Sequence, residues 1–243
     1  MKIFSFLIII LLFPILLFSQ SFSPDRPGFS NGAYSVGLHR TDYESGWGYN
    51  GFGCYPINQL CNTNLFRFGM YKHLEFRFGT DFGDLLTNSQ IAGIKALYFG
   101  VKIPIIQDIK YLPDIAILGM LNLPNIGKPE FSIPDHSPQG SLILQKGFGK
   151  FTVLGNVGIL YDGINPYSQG FYCINLGYSI TSKFGSFIES YSFFSSKTSP
   201  FIYGDLGFNY FITDDFQFDL SYGSGMSTVF INCGFSWRIP HKE

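Results

Sequence analysis

The sequence is poor in charged residues, histidines and cysteines, and each scarcity argues against a class of function. Charged residues make up 14% of the 243 residues, against about 25% in typical soluble domains. The net charge is −1 and no run of basic residues is present, so nothing indicates nucleic-acid binding. Of the four histidines, His73, His136 and His241 fall in a predicted turn, a loop and the tail, and His39 has no partner that spacing can assign. We therefore expect no enzyme, no metal site and no cofactor.

After its first residues the chain also lacks an apolar run that could cross a membrane as a helix. In residues 1–20, Lys2 precedes an apolar stretch from Ile3 to Phe18, which is shorter than the roughly 20 residues that span a bilayer. The small polar residues Ser19 to Ser21 fit a cleavage site, so we predict a cleaved signal peptide; the alternative is a retained anchor. An exported chain without spanning helices can enter a membrane only as strands.

The few cysteines divide into two types. Cys54 and Cys61 lie in a region rich in Gly, Asn and Pro, and an exported protein meets an oxidising compartment, so we predict a disulfide between them. The alternative is two free thiols, and without a nearby histidine the pair is a poor zinc site. Cys173 and Cys233 fall within predicted strands, where cysteine serves as a small apolar residue.

Aromatic residues and glycine are abundant, and the stretch Leu65 to Phe82 (LFRFGMYKHLEFRFGTDF) shows their arrangement. Large apolar residues alternate with charged residues and glycine on both sides of a three-residue polar turn, Tyr71 to His73, which predicts a β-hairpin. A soluble sandwich would turn the aromatic face towards a second sheet. A membrane barrel would turn it towards lipid and the charged face towards a wet lumen.

Alternation along the rest of the chain predicts about twelve strands. Residues 21–32 contain two prolines and no periodicity, which predicts an irregular leader; residues 33–239 form the barrel and residues 240–243 a tail. We predict the first strand at Tyr34 to His39, followed by a long loop over residues 41–64. In the fourth strand Lys95 falls on the apolar face and would have to snorkel. In the ninth strand the two faces are mixed around Glu189.

The lengths of the predicted connections distinguish a membrane barrel from a soluble sandwich. Short turns follow the second, sixth, eighth and tenth strands, and most other links are longer, as in outer-membrane barrels with short periplasmic turns and longer outer loops. Tyr178, Tyr210 and Trp237 fall near one rim, as in an interfacial aromatic girdle. The predicted fold is all-β: a single transmembrane antiparallel up-and-down barrel of about twelve strands. A soluble secreted sandwich is the alternative.

Five segments carry a resemblance to a known family: in chain order, Pro24 to Pro27, the hairpin, Asp114 to Gly119, Leu176 to Thr181 and Ile231 to Arg238. In these segments the sequence resembles a family of bacterial outer-membrane β-barrels that is common in Bacteroidetes and named for the MetA pathway of phenol degradation. The resemblance covers nearly all of the mature chain and implies a membrane channel or transporter of small molecules.

Charged residues on the predicted inner face are the candidate lumen-lining residues: Arg67, Glu75, Arg77, Asp81, Lys102, Asp205, Asp219 and Arg238. If the turn pairs Met70 with Leu74, Arg67 faces Arg77 across the hairpin, which is unfavourable unless Glu75 bridges both. One hypothesis is a charged constriction that filters solutes. The other is a ladder of salt bridges that fills a narrow lumen and fixes the register.

These observations predict a cell outer-membrane channel or transporter for small molecules, with hydrophobic molecules as candidate solutes. The first alternative is a structural or surface-binding barrel with a plugged lumen, since the Tyr-rich loops could bind carbohydrate or protein. The second is a membrane-embedded lipid-modifying enzyme. The expected partners are outer-membrane lipid, the barrel-assembly machinery and a small solute.

Overall fold

The computed structural model describes residues 22–52, 58–86, 91–225 and 228–240, and in these ranges twelve strands form a closed antiparallel barrel. Each strand pairs with its neighbours in sequence, and β1 pairs with β12 to close the sheet. The predicted fold class is confirmed. The strands are β1 (Thr41–Phe52), β2 (Asn58–Tyr71), β3 (Leu74–Leu86), β4 (Ile91–Ile106), β5 (Asp114–Asn122), β6 (Ser137–Phe148), β7 (Phe151–Leu160), β8 (Gln169–Ser179), β9 (Phe184–Phe194), β10 (Phe201–Thr213), β11 (Phe216–Gly225) and β12 (Thr228–Ile239).

The predicted hairpin forms β2 and β3, and its two faces are separated as the alternation indicates. Arg67 and Glu75 are fully buried inside the barrel, whereas Phe68 and Phe76 are exposed on its outer face. Tyr71 rather than Met70 pairs with Leu74, because a bulge interrupts the register after Gly69. From Gly69 towards the start of β2 the pairing is the predicted one, so Arg67 lies directly opposite Arg77.

The two rims of the barrel differ in the length of their connections. At one rim, called the short-turn rim, β2 meets β3, β6 meets β7 and β10 meets β11 through two-residue turns. The opposite rim, called the long-loop rim, carries the links 123–136 and 161–168. Tyr178, Tyr210 and Trp237 lie exposed near the short-turn ends of β8, β10 and β12, as predicted for a girdle. Within the described ranges, no helix is long and apolar enough to cross a membrane.

The prediction for the first strand is wrong. Tyr34 to His39 forms no strand, and β1 lies instead at Thr41–Phe52, inside the predicted loop. In β1 the inward side chains of Asp42 and Glu44 alternate with aromatic residues on the outer face. This segment is rich in Gly, Tyr and Asn, which favours loops, but its period of two is that of a strand. The periodicity was therefore the better signal here.

The prediction that Lys95 lies on the apolar face is also wrong. A register shift in the pairing of β3 with β4 leaves Lys95 as an extra residue, because Asp81 pairs with Ala96 and Phe82 pairs with Ile94. The bulge changes which residues of β4 face inwards. Lys95 Nζ consequently lies 3.9 Å from the inward-facing Cys61 Sγ, and no snorkelling is needed.

Residues 22–40 form a segment without strands, which we call the plug, and it lies inside the barrel. Part of it packs in a small apolar core, where Ala33 lies against Ala116, Leu118 and Ile143. The predicted irregular leader is thus the first part of a longer internal segment. Its last residues lie at the short-turn rim, where His39 N donates to Gly69 O over 2.8 Å.

Three predictions concern residues outside the described ranges and stay predictions. They are the cleaved signal peptide at residues 1–20, the disulfide partner Cys54 and the tail beyond residue 240. The other partner of the predicted disulfide, Cys61, lies on β2.

Gly69 tests whether the plug is seated as described. A Cβ at Gly69 would lie 1.6 Å from Gly37 O, a backbone atom of the plug that cannot give way cheaply. We expect Gly69→Ala to displace the end of the plug or to destabilise the barrel by about 1–3 kcal/mol, the usual cost of overpacking. Limited proteolysis at the plug and the midpoint of the heat-induced gel-mobility shift would measure the two effects.

Gly140→Ala on β6 is the matched control, because a Cβ there meets nothing within 4 Å. Equal behaviour of the two variants would contradict the placement of the plug.

Candidate functional site

Asp25 of the plug lies at the centre of a cluster of lumenal cations. Lys102 Nζ donates to both carboxylate oxygens, over 3.1 and 3.0 Å. Arg77 makes a short ion pair with the same carboxylate, and Arg67 Nη2 lies 3.8 Å from Asp25 Oδ2. The side chains of all three cations are almost fully buried. Asp25 therefore joins β2, β3 and β4 through a single side chain.

Two further carboxylates complete the cluster. Glu75 Oε1 accepts from Arg67 Nε over 3.0 Å and from Arg77 Nε over 2.8 Å, so it bridges the two facing arginines as the sequence predicts. Glu44 of β1 accepts from Arg67 Nη1 over 2.8 Å. Three cations thus meet three carboxylates, and the cluster is electrically balanced only with Asp25 in place.

The charges of this cluster determine the ionisation state of Asp25. Burial of Asp25 favours its neutral form, but the charges of Arg67, Lys102 and Arg77 outweigh burial and hold its pKa well below the usual range. Asp25 is therefore ionised at neutral and mildly acidic pH. The ion pairs that seat the plug persist over the same range.

Arg26, the next residue, extends to the side of the wall formed by β1, β12 and β11. Its guanidinium binds Asp219 of β11 through two hydrogen bonds, Nε–Oδ2 of 3.1 Å and Nη2–Oδ1 of 2.8 Å. It lies flat over two paired glycines, since a Cβ at Gly46 would be 2.0 Å from Arg26 Nη1 and one at Gly234 would be 2.5 Å from Nη2. Here glycine provides the space in which a planar cation can reach its bidentate partner.

The backbone of the plug also depends on side chains of the wall. Glu189 of β9 accepts from the amides of Phe29 and Ser30, over 2.6 and 2.9 Å. Asn156 of β7 accepts from Asn31 N over 2.7 Å and donates to Asn31 O over 3.0 Å. These wall groups satisfy amides that would otherwise be buried without partners, since the segment has no regular structure.

Three more contacts continue this pattern. The amide of Ala33 donates to Gln145 Oε1 of β6 over 2.8 Å, and that of Val36 donates to Glu75 Oε2 over 2.9 Å. Tyr34 Oη donates to Asp114 Oδ2 of β5, also over 2.8 Å. The plug is therefore bonded to the wall along most of its length.

At the short-turn rim, Arg238 of β12 connects the plug to the closing strand pair. Its Nε donates to Asp42 Oδ1 of β1 over 3.0 Å, and its Nη2 lies 3.5 Å from Val36 O. The guanidinium also stacks over the Phe22 ring, 5.1 Å from the centroid. Phe22 contacts Phe211 of β10, and Phe29 contacts Phe171 of β8. With these contacts the plug touches every strand of the described barrel.

The eight predicted lumen-lining residues fall into three groups. Arg67, Glu75, Arg77, Lys102, Asp219 and Arg238 contact the plug or the carboxylates that hold it. Asp81 accepts a hydrogen bond from Tyr98 Oη over 3.3 Å and lies apart from the plug contacts described above. Asp205 is buried, and its Oδ1 has no partner among the described residues. Whether any of them filters a solute stays a prediction.

The sequence analysis did not assign Asp42, Glu44, Glu189, Asp25 or Arg26 to this site, although the sequence contains signals for some of them. Asp42 and Glu44 alternate with aromatic residues and could have been assigned to a strand. Glu189 stood out as the lone charge in a mixed strand. Asp25 and Arg26 carry opposite charges between two prolines, which is consistent with an irregular segment that needs partners, but the sequence does not show where those partners lie.

Between the plug and the long-loop rim lies a cavity of about 490 Å³, which we call the vestibule. Arg26, Gly28 and Phe29 of the plug form part of its lining, and wall residues from β1, β2 and β9–β12 supply the rest. Cys61 and Asp205 are among these wall residues. The vestibule is the part of the lumen on the long-loop side of the plug.

A second cavity, of about 570 Å³, lies along β8–β11 and opens to the outer face of the barrel. Its rim is formed by exposed apolar residues, including Ile174, Ile188 and Leu206, and small residues such as Ser190 and Gly204 form its floor. Glu189 and Asp205, which are buried on the inner face of the barrel, also line this cavity.

Closed antiparallel strands with an apolar exterior and a charged, plugged interior define a transmembrane β-barrel of the outer-membrane type. The chain belongs to the family described as "Putative MetA-pathway of phenol degradation", whose model matches residues 24–229. The matched region begins within the plug, so the family includes this segment as well as the strands. A search of curated proteins finds no match to the sequence.

Solved structures share the fold at low sequence identity. An outer membrane channel from Pseudomonas putida F1 is 10% identical with a TM-score of 0.68, covering 88% of this chain and 99% of that chain. The KdgM porin in complex with disordered oligogalacturonate is 8% identical with a TM-score of 0.60, covering 82% and 99%. The NanC porin is 10% identical with a TM-score of 0.57, covering 81% and 100%. These likenesses support the barrel fold.

Glu75 tests the ion cluster. Glu75→Gln leaves the shape of the side chain but removes the charge shared by Arg67 and Arg77. We expect a destabilisation of about 3–5 kcal/mol, because removing one member of a buried ionic cluster leaves charge unpaired. Urea unfolding in detergent, followed by the loss of β-sheet circular dichroism, would measure it.

Glu130→Gln is the matched control, because Glu130 lies exposed in the link between β5 and β6. We expect that change to stay within about 0.5 kcal/mol of the parent protein. A Glu75→Gln protein as stable as the control would contradict the structural role of the cluster.

Proposed function

We propose that the protein is an outer-membrane channel for small molecules, whose N-terminal plug obstructs the lumen and must shift for solute to pass. The observation that carries this proposal is the position of the vestibule, which ends at the plug. Because the plug is held by ion pairs and hydrogen bonds, its seating can be weakened without disturbing the strands. The family and the fold of porins and channels are consistent with this function.

The path of the plug supports displacement towards the short-turn rim. Both its ends lie there: Phe22 contacts Phe211 and Arg238, and His39 contacts Gly69. Its deepest contacts, at Glu189 and Asn156, lie in the middle of their strands. The segment is therefore a loop inserted from one side, which can withdraw without threading through the barrel.

The proposal includes the setting and partners of the protein. The chain would be exported by a cleaved signal peptide at residues 1–20, assembled by the barrel-assembly machinery and surrounded by outer-membrane lipid, with short turns in the periplasm. Most lumenal charges are bound to the plug or to one another, which favours a transport or structural role over catalysis.

The second candidate function is a structural or surface-binding barrel whose plug never leaves. The observation that favours it is the number of strands that the plug contacts, since a segment in contact with every wall strand also stabilises the barrel. The two candidates differ in one measurable property: a channel conducts when its plug is weakened, and a permanently plugged barrel does not.

Asp25→Ala tests the channel. The change leaves Arg67, Arg77 and Lys102 with one carboxylate too few, so the plug should lose its central contact. We expect the open probability of single channels in planar bilayers to rise by about tenfold or more, because each 1.4 kcal/mol changes an equilibrium tenfold. Removing one partner of a buried ion pair costs about 3–5 kcal/mol, and here that cost falls on the seated position of the plug.

Asp135→Ala, in the exposed link between β5 and β6, is the control and should behave as the parent protein does. Folding of each variant is verified by its heat-modifiable gel mobility. If correctly folded Asp25→Ala passes no current at any voltage, the channel is wrong and the plugged structural barrel is favoured.

The pH dependence of conduction gives a further test. Because the pKa of Asp25 is lowered in the folded protein, its contribution is complete above the unfolded value of about 3.9 and is lost only as the pH falls through the lower folded value. We expect the parent protein to keep the same low open probability between pH 7 and pH 5. Asp25→Asn should show a raised open probability over the whole of this pH range. Opening of the parent protein near pH 5 would contradict the assignment of the seating charge to Asp25.

A further inference from the structure

Asp205 is a lumenal carboxylate that the plug leaves unused. It lies on β10, is only 6% exposed, and its Oδ1 has no hydrogen-bond partner within the described ranges. A buried acceptor without a partner costs about 1–3 kcal/mol, and such a group calls for an explanation. Because Asp205 also lines the vestibule, a ligand in that cavity could supply the missing donor.

The charges around Asp205 favour a cationic ligand. Its cross-strand neighbour is Glu189, a second carboxylate, which already accepts from two plug amides and from Asn175 Nδ2. Arg26 of the plug is bound to Asp219 through two hydrogen bonds. Lys95 of β4 has its Nζ 3.9 Å from Cys61 Sγ of β2. Asp205 and Glu189 therefore form a pair of neighbouring carboxylates.

Aromatic rings form the adjoining surface of the vestibule. Phe29 stacks on Tyr191 with centroids 4.5 Å apart, and Tyr191 stacks on Tyr203 with centroids 5.1 Å apart. Tyr203 precedes Asp205 by two residues on the same face of β10, so the carboxylate lies at the edge of this aromatic stack. Rings beside a carboxylate bind the apolar body and the charge of an organic cation together.

We propose that the vestibule binds small organic ammonium ions, with the ammonium group donating to Asp205 and the apolar body against Phe29, Tyr191 and Tyr203. The cavity, of about 490 Å³, falls in the range of small-molecule sites. The inference rests on the proposed channel only for how the solute arrives and leaves. Binding itself requires no conduction, so the two can fail separately.

Calorimetric titration of the full barrel in detergent tests the site with benzylamine as the cation, benzyl alcohol as its neutral counterpart and benzoate as the anion. We expect benzylamine to bind saturably, and the other two about tenfold more weakly or not at all, because a hydrogen bond to a charged group is worth at least tenfold in affinity. Asp205→Asn should reduce benzylamine affinity to that of benzyl alcohol, while Asp135→Asn leaves it unchanged.

Two further ligands and variants separate the contributions. Benzyltrimethylammonium keeps the charge but has no donor, so it should bind more weakly than benzylamine. Tyr191→Leu should weaken benzylamine and benzyl alcohol alike, because it removes a ring and no charge. Each variant is first shown to be folded by heat-modifiable gel mobility.

The proposal is overturned if benzylamine and benzyl alcohol bind equally, if Asp205→Asn leaves benzylamine affinity unchanged, or if none of the ligands binds. Equal binding would mean that Asp205 carries no effective charge in the vestibule. Benzylamine binding to the parent protein, combined with an Asp25→Ala variant that passes no current, would support the site and reject the channel. Current through Asp25→Ala without benzylamine binding to the parent protein would support the channel and reject the site.

Discussion

An irregular segment can lie inside a barrel only if its backbone amides and carbonyls find partners there. Strands satisfy their own backbone within the sheet, but residues 22–40 cannot, and the wall of the lumen has to supply side chains that do so. The carboxylates and amides of Glu75, Glu189, Gln145 and Asn156 perform this task. Much of the polar character of the lumen follows from this requirement, before any solute is considered.

The contacts between plug and wall also explain how many charged side chains can be buried in the lumen, because the charges of the two neutralise each other. Arg67 and Arg77 face each other across the hairpin, which would be repulsive in isolation. Glu75 from the wall and Asp25 from the plug lie against both. Neither the wall nor the plug is electrostatically complete alone, so the barrel and its N-terminal segment form one folded unit. The two hypotheses for these charges, a ladder of salt bridges and a charged constriction, therefore concern the same contacts.

The parts of the fold that depend on local periodicity could be predicted from the sequence. The faces of β2 and β3 and the bridging role of Glu75 all follow from alternation by two. Prediction failed where composition and periodicity disagreed, as at β1, and where a bulge changed the phase, as at Lys95. The plug could not be located at all, because its partners come from every strand and no local pattern relates Asp25 to Lys102 or Phe29 to Glu189. Such contacts are set only when the sheet closes.

The pairing of β1 with β12 has a consequence for how the protein matures. The plug spans from Asp219 and Arg238 at one end of the sheet to Asp114 and Gln145 on the far wall, and these residues come together only after the cylinder has formed. Docking of the plug therefore cannot be complete before β1 pairs with β12. Until then the wall charges that will bind the plug lack these partners and have to be solvated by water and counterions.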